Sequence, residues 1–309
     1  MSIEIISSGL QTTIQDLGRS GFGHMGVPES GAADKFSFKL ANFLLGKNVA
    51  SPAIECTLTG PSLKFLKPFK VAITGANMNP RVNNENLKIN KIFTVGTNDI
   101  LSLGNCSAGC RSYIALSDDL VCETFMKSAS TYLPAKLGGI EGAPLKTGSI
   151  INTSKVNWNG DQFKKVNFGE IKTHTNKWEL RVIEGPEFSS LNSKSKKQIF
   201  SSSYEVSNDS NRMGNRLEGV RLGLISNSNI KSSPVSTGTV QCPTNGLPII
   251  LGCDSHTLGG YPRVLQIAAI DFPLIGQLRP RDKVVFKRIS LEDAIQELKK
   301  QSSLFPFLA

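Results

Sequence analysis

Short apolar runs closed by glycine, proline or asparagine recur through most of this chain, and they restrict it to a fold built largely from brief β-strands. Leu58–Phe65, Phe69–Gly75, Asp99–Leu103, Trp178–Val182 and Lys283–Lys287 are such runs, and Met1–Ile6 reads as an opening strand. Thr239–Pro243 and Leu247–Leu251 flank an Asn245-Gly246 pair, the expected turn of a hairpin. Helical spacing is confined to three places. Asp34–Leu45 carries Phe36, Leu40, Phe43 and Leu44 at near-helical intervals, with Gly46 as a stop. Ser290–Lys300 offers Ser290 as N-cap, a stripe of Leu291, Ala294, Ile295 and Leu298, and lysines in its last turn. Glu187–Phe200 is a serine-rich third candidate.

At 309 residues the chain has room for about two domains. Asn152–Asn176 is polar and aperiodic and is the expected linker. We therefore expect an N-terminal domain over 1–165 and a C-terminal domain over 166–309 that ends in a helix. Many short strands with glycine-rich turns suggest barrels or sandwiches.

Composition removes several function classes. Lysine and arginine total 35 against 25 acidic residues, a net charge of +10. The positive charge is dispersed, with one short run at Lys194–Lys197 and no recognition-helix or RNA-binding signature. It therefore points to an acidic small molecule or partner, not to nucleic acid. Six cysteines form no C-x-x-C pair and no zinc pattern with the three histidines, so they read as reduced thiols, and no metal site is expected. No stretch approaches the roughly 20 apolar residues of a membrane span. The first residues lack a basic region and a long apolar region, so a cytoplasmic protein is expected.

Four glycine-rich polar segments are candidates for chemistry. Gly9–Arg19, continued by Gly21–Asp34, supplies Asp16, Arg19, His24 and Asp34 as an acid, a fork donor and a possible base; taken singly, the two aspartates read first as turn or cap residues and His24 as structural. Ser207–Gly219 carries Arg212 and Arg216, which could clamp a carboxylate or phosphate or could fix the loop internally. Cys253–Arg263 places Asp254, Ser255, His256 and Thr257 directly after a buried-looking strand. Adjacent residues of an extended chain face opposite sides, so these form no local triad, and a polar cluster for a substrate head group is the expectation. Leu133–Gly148 has Gly138-Gly139 and Gly142 but no following Lys-Ser/Thr, so it is not a P-loop.

In these segments the sequence resembles the biotin-dependent carboxyltransferase family named for allophanate hydrolase subunit 2. Members include the C-type subunits of 5-oxoprolinases, KipA-like proteins and the carboxyltransferase region of urea carboxylase. The motifs are Gly9–Arg19, Gly26-Val27-Pro28-x-Ser30-Gly31-Ala32-x-Asp34, Glu55–Pro61, Ile73–Ala76, Ser130–Leu133 before Gly138-Gly139, Arg212-Met213-Gly214-x-Arg216-Leu217-Glu218-Gly219, Gly238–Pro243, Gly259–Pro262 and Gln277–Pro280. They run in order from about residue 9 to 288. The sequence departs from the family pattern at His256 and Leu258, at Asp118-Asp119, at Asn77, and at Arg281 in an Arg-Pro-Gly-Asp turn.

The resemblance implies a mainly β protein with two cyclophilin-like β-barrel domains and a few short helices. It implies an amide (lactam) hydrolase subunit of an ATP-dependent 5-oxoprolinase complex, active only with its partners and yielding glutamate. The partners are a companion cyclophilin-like subunit of the B or KipI type and a lactam-utilisation subunit of the A type. ATP would be bound by a partner or at a shared interface. One alternative is a carboxyltransferase subunit acting on urea or another amide, with biotin on a separate carrier; another is a non-catalytic KipA-like regulator. Asp254, His256 and Arg216 are the expected catalytic residues. Arg19, His24, Arg212, Gln241, Thr257, Gly259, Gly260 and Tyr261 are the expected substrate contacts.

Overall fold

The computed structural model describes residues 1–156, 166, 174–225 and 230–308. Most of the expected linker and its boundary after residue 165 lie outside them. The described residues form two compact units: Met1–Arg19 with Ser30–His174, and Ser20–Glu29 with Thr175–Phe307.

The first unit contains β1 (Ile3–Ser7), β2 (Gln11–Gln15), β3 (Ala53–Thr57), β4 (Ser62–Phe65), β5 (Phe69–Gly75), β6 (Arg81–Val82), β7 (Glu85–Asn86), β8 (Ile92–Val95), β9 (Ile100–Ser102), β10 (Arg111–Leu116), β11 (Asp119–Leu120), β12 (Ile150–Ile151) and β13 (Thr153–Ser154). Six strands form one sheet in the order β12-β1-β4-β9-β6-β7, and five form another in the order β2-β3-β10-β5-β8. Ile3, Ile5, Leu63, Phe65 and Leu101 of the first sheet share one core with Ile14, Ile54, Val71, Ile73 and Ile114 of the second. Each such buried side chain contributes about 1.5–3 kcal/mol of apolar burial.

Helix α1 (Lys35–Leu44) begins where Asp34 accepts the Ser37 amide at 2.9 Å and ends where Gly46, at φ 68°, takes the left-handed conformation. Phe38 packs edge-on to Tyr113 of β10 at 6.0 Å between ring centroids. The expected strand at Leu58–Phe65 starts four residues late, because Leu58 stands at φ 59° and bends the chain before Ser62.

The second unit contains β14 (Lys177–Glu184), β15 (Tyr204–Val206), β16 (Gly214–Glu218), β17 (Ser233–Pro234), β18 (Thr239–Gln241), β19 (Ile249–Leu251), β20 (Leu258–Gly259), β21 (Arg263–Ile267) and β22 (Lys283–Arg288). Seven of them close a barrel, β14-β21-β18-β19-β16-β15-β22, with β14 and β22 parallel. Trp178, Leu180 and Val182 of β14 and Val284 and Phe286 of β22 fill its interior by strict alternation. β17 and β20 form a separate two-stranded ribbon.

The expected hairpin is present as β18 and β19, in register Val240↔Ile250. The third helix candidate divides: Phe188–Ser190 is a 3-10 turn, and α2 (Ser193–Ser201) starts only after Asn192, whose side chain accepts the Ser195 amide at 2.8 Å. Two further helices follow, α3 (Phe272–Ile275) and α4 (Leu291–Leu304), the latter capped by Ser290 as expected. No helix among the described residues is long and apolar enough to cross a membrane.

Candidate functional site

The β16–β19 ladder continues past the ends of both strands, since the Gly252 amide bonds the Met213 carbonyl at 3.0 Å and the Asp254 amide bonds the Arg212 carbonyl at 3.1 Å. That extension sets Arg212 opposite Asp254. Arg212 Nε donates to Asp254 Oδ2 at 2.7 Å and Nη2 to Oδ1 at 3.0 Å, a two-point pair with both side chains at most 5% exposed. Gly252 is required there, because a methyl on it would meet the Arg212 carbonyl at 2.3 Å. The pairing commits the Asp254 carboxylate to Arg212 and ties down the base of the Cys253–Thr257 loop.

The far end of that loop returns to the outside of the barrel. The Val235 amide donates to the Thr257 carbonyl at 3.0 Å, and β20 pairs with β17 through Ser233↔Gly259 and Pro234↔Leu258. Val240 and Cys242 belong to the barrel core, so alternation turns Gln241 outward against β20. A methyl on Gly259 would lie 2.3 Å from Gln241 Nε2 and 3.0 Å from His256 Nε2, so the carboxamide and the imidazole flank one point beside Gly259. Gln241 is 1% exposed, and its Nε2 has no hydrogen-bond partner. The His256 side chain is exposed, and Thr257 is half-buried. Burial pushes the Cys242 thiol up to about 11, so the cysteine next to Gln241 stays protonated and is no nucleophile near neutral pH.

The remaining expected site residues have other surroundings. Arg216 lies on β16 with an exposed side chain, whereas Arg212 is buried, so the two arginines differ in environment. Gly260 and Tyr261 are exposed. His24 is exposed in a 3-10 turn, Gly23–Met25. Arg19 is buried in the first unit and donates to the Ser130 carbonyl. Close by, the Asp16 carboxylate accepts the Gly18 amide at 2.8 Å, the Ser128 hydroxyl at 2.7 Å and the Ala129 amide at 2.6 Å, which is the work of a turn anchor.

Glu187 enters as a residue that sequence reasoning passed over. It holds Arg263 through Nε–Oε2 at 2.8 Å and Nη2–Oε1 at 2.6 Å, fixing the start of β21 just past Tyr261-Pro262. Arg263 in turn lowers the Glu187 carboxyl and is itself raised by it. Two departures from the family pattern are also explained. Asp119 pairs with Lys47 at 2.9 Å and Asp118 with Lys67 at 2.7 Å, so these acids anchor lysines. Arg281 adopts φ 73°, the left-handed conformation that suits glycine.

Methyl groups on Gly138, Gly139 and Gly142 would strike the Ser130 carbonyl at 2.4 Å, Thr131 Oγ1 at 2.1 Å and the Lys136 carbonyl at 2.1 Å. At these positions the backbone runs too close to its neighbours to accept a side chain, which gives the glycines a packing role.

Comparison with known proteins agrees with this architecture. The C-type subunit of the Escherichia coli 5-oxoprolinase is 31% identical over 99% of this chain and 97% of its own length. Urea amidolyase of Saccharomyces cerevisiae is 30% identical over 95% of this chain, which spans only 17% of that protein. The crystal structure of Kluyveromyces lactis urea carboxylase superposes with a TM-score of 0.92 at 29% identity, covering 99% of this chain and 29% of that one. Residues 25–288 match the family described as carboxyltransferase domain, subdomain A and B, and the chain belongs to that family.

Proposed function

We propose that this chain is the C-type subunit of a 5-oxoprolinase and that it opens a lactam in an assembly with partner subunits. The observation that carries the reading is the two-sided match to the bacterial C-type subunit, which accounts for 97% of that relative where the urea amidolyase match accounts for 17%.

A lactam carbonyl is a poor electrophile, and hydrolysis requires stabilising the charge that develops on its oxygen. Donors aimed at that oxygen lower the barrier by about 3 kcal/mol each. In this reading the Gln241 amide and the His256 and Thr257 side chains supply polar contacts, while Asp254 and Arg212 hold the loop that presents them. Asp254 is then a positioning residue. ATP is assigned to a partner subunit or a shared interface, because this chain carries no P-loop, its Gly138-Gly139 pair having no Lys-Ser/Thr after it.

The structural likeness to urea carboxylase supports a second reading, carboxyl transfer to an amide from biotin on a separate carrier. Co-expression with A- and B-type subunits and an assay of ATP-dependent glutamate release from 5-oxoproline separates the two. Release by the assembled complex is expected. A well-assembled complex that releases no glutamate but binds a biotinylated carrier protein would replace the first reading with the second.

A further inference from the structure

Gln241 combines three properties. It is 1% exposed, its Nε2 is buried without a partner, and its Oε1 receives no hydrogen bond from any described residue. Buried amides are otherwise bonded almost throughout folded proteins. Gln241 also faces outward from the barrel, toward the ribbon of β17 and β20 and not into the core. What it lacks is a partner with one acceptor and one donor on the same edge.

The guanidinium groups nearest in the sequence motifs do not call for an anion here. Arg212 is matched at two points by Asp254, and Arg263 at two points by Glu187. The open hydrogen-bonding capacity belongs to a neutral carboxamide.

Resting on the lactam-opening reading above, we propose that Gln241 is the residue that recognises the substrate's amide edge. Its Nε2–H donates to the substrate carbonyl, and its Oε1 accepts the substrate N–H, giving two parallel hydrogen bonds. A lactam ring forces its amide cis, so C=O and N–H lie along one edge and match a primary carboxamide. Urea presents the same edge. An ordinary trans peptide directs the two groups to opposite sides and cannot form the pair. Gln241 thereby selects lactams and ureas over peptides.

Two neighbours shape the site. Gly259 must lack a side chain, since a methyl there would press on Nε2 at 2.3 Å. His256 has its Nε2 3.0 Å from the same point and an exposed side chain, and in the proposed site rotation of that surface side chain, on the picosecond-to-nanosecond scale, is the movement that admits the ligand.

The test is titration of the full chain, followed by ligand-observed NMR, with 2-pyrrolidinone, 5-oxoproline and N-methyl-2-pyrrolidinone, repeated with partner subunits present and ATP absent. The N-methyl compound keeps the ring and carbonyl but has no N–H. It should bind at least about tenfold more weakly, the worth of one lost hydrogen bond in a site built for it. Gln241→Glu, which replaces the donor, should remove both lactam binding and the preference. Gly259→Ala, which displaces the carboxamide, should do the same, with thermal melting confirming that each variant is folded.

Equal binding of the two pyrrolidinones overturns the proposal. So does a folded Gln241→Glu or Gly259→Ala chain that still discriminates, and so does absence of lactam binding in both settings. Glutamate release by a complex that fails to discriminate would overturn the Gln241 assignment alone. A discriminating chain whose complex releases no glutamate would overturn the oxoprolinase reading and leave the amide-edge site standing.

Discussion

Gln15 and Gln241 are both buried glutamines on β-strands, one in each unit; Gln15 Oε1 and Gln241 Nε2 are each buried without a hydrogen-bond partner, but only Gln15 uses its Nε2 as a donor. Gln15 Nε2 donates to Thr13 Oγ1 at 3.0 Å and to the Thr131 carbonyl at 3.1 Å, so it stitches β2 to the segment that follows Ala129. Gln241 Nε2 donates to nothing. The contrast extends to the acids. In the first unit Asp16, Asp34 and Glu55 are enclosed by turn amides, a helix cap and the Tyr113 hydroxyl, which reaches Glu55 at 2.8 Å. In the second unit Asp254 makes one strong pair that holds a loop carrying polar groups with no such enclosure. A buried polar group left unbonded costs the fold, and that cost needs an explanation; for Gln241 the proposed explanation is a ligand.

The largest effect should come from breaking the anchor of the second unit. Arg212→Ala removes the two-point charged partner of the buried Asp254 carboxylate, which costs about 3–5 kcal/mol. Denaturant melts should show that loss, and Lys67→Ala, at a partly exposed pair with Asp118, should lose less than about 1 kcal/mol. A comparable loss from both would remove the distinction between anchor and surface pair.

Gln15→Leu comes next. It abandons the Thr131 carbonyl in a buried setting and should cost about 1–3 kcal/mol by the same measurement.

Much of this architecture is legible in the sequence, and the part that is not has a common cause. Phe69–Gly75 reads as a strand because its apolar run is bounded by Pro68 and a glycine at φ 88°, and the Asn245-Gly246 hairpin and the Asp34 and Ser290 caps are equally local. Arg212 with Asp254, and Glu187 with Arg263, are separated by 42 and 76 residues, and no local pattern links them. The expectation of two barrels rests on many short strands and on the family resemblance. The second unit closes because β22 returns parallel to β14, whereas in the first the six- and five-stranded sheets lie over one core and β11 pairs with β13 in a small third sheet. Closure depends on which distant strands pair, and short runs of similar composition do not encode that. His256 and Gln241 can be nominated from their motifs, but the unpaired state of Gln241 emerges only from the packing around Gly259.

Alkaline pH should blunt the contrast between the units, because each holds groups of the same kind. Burial raises the thiol of Cys56 and the phenol of Tyr113 in the first unit, and in the second it raises Cys242 to about 11 and Tyr204 to about 12. Cys122 of the first unit is likewise raised to about 11. Below roughly pH 8.5 the folded and unfolded chains both keep these protons; above it the unfolded chain releases them first, so stability falls as pH rises. Lys47 and Lys39, whose ammonium groups are lowered by burial, oppose the trend but are outnumbered by the five raised thiols and phenols. Melting temperature should decline progressively from roughly pH 8.5 to 11, and a rise over that range would contradict the burial of these groups.

The smallest effect is a gain. Arg281→Gly relieves a left-handed residue in the turn before β22 and should add about 1 kcal/mol. No gain would mean that Arg281 makes a compensating contact.

The central claim is that the open amide of the second unit serves a ligand at the expense of the fold, and Gln241→Leu tests it most directly. Measured side by side, the variant should melt at or above the wild-type temperature, because an unpaired buried amide has been replaced by an apolar group of similar size. The assembled complex carrying it should lose at least about tenfold in kcat/KM for 5-oxoproline. A Gln241→Leu chain that melts lower and supports wild-type turnover would show that Gln241 is structural, as Gln15 is, and that the account of this site is wrong.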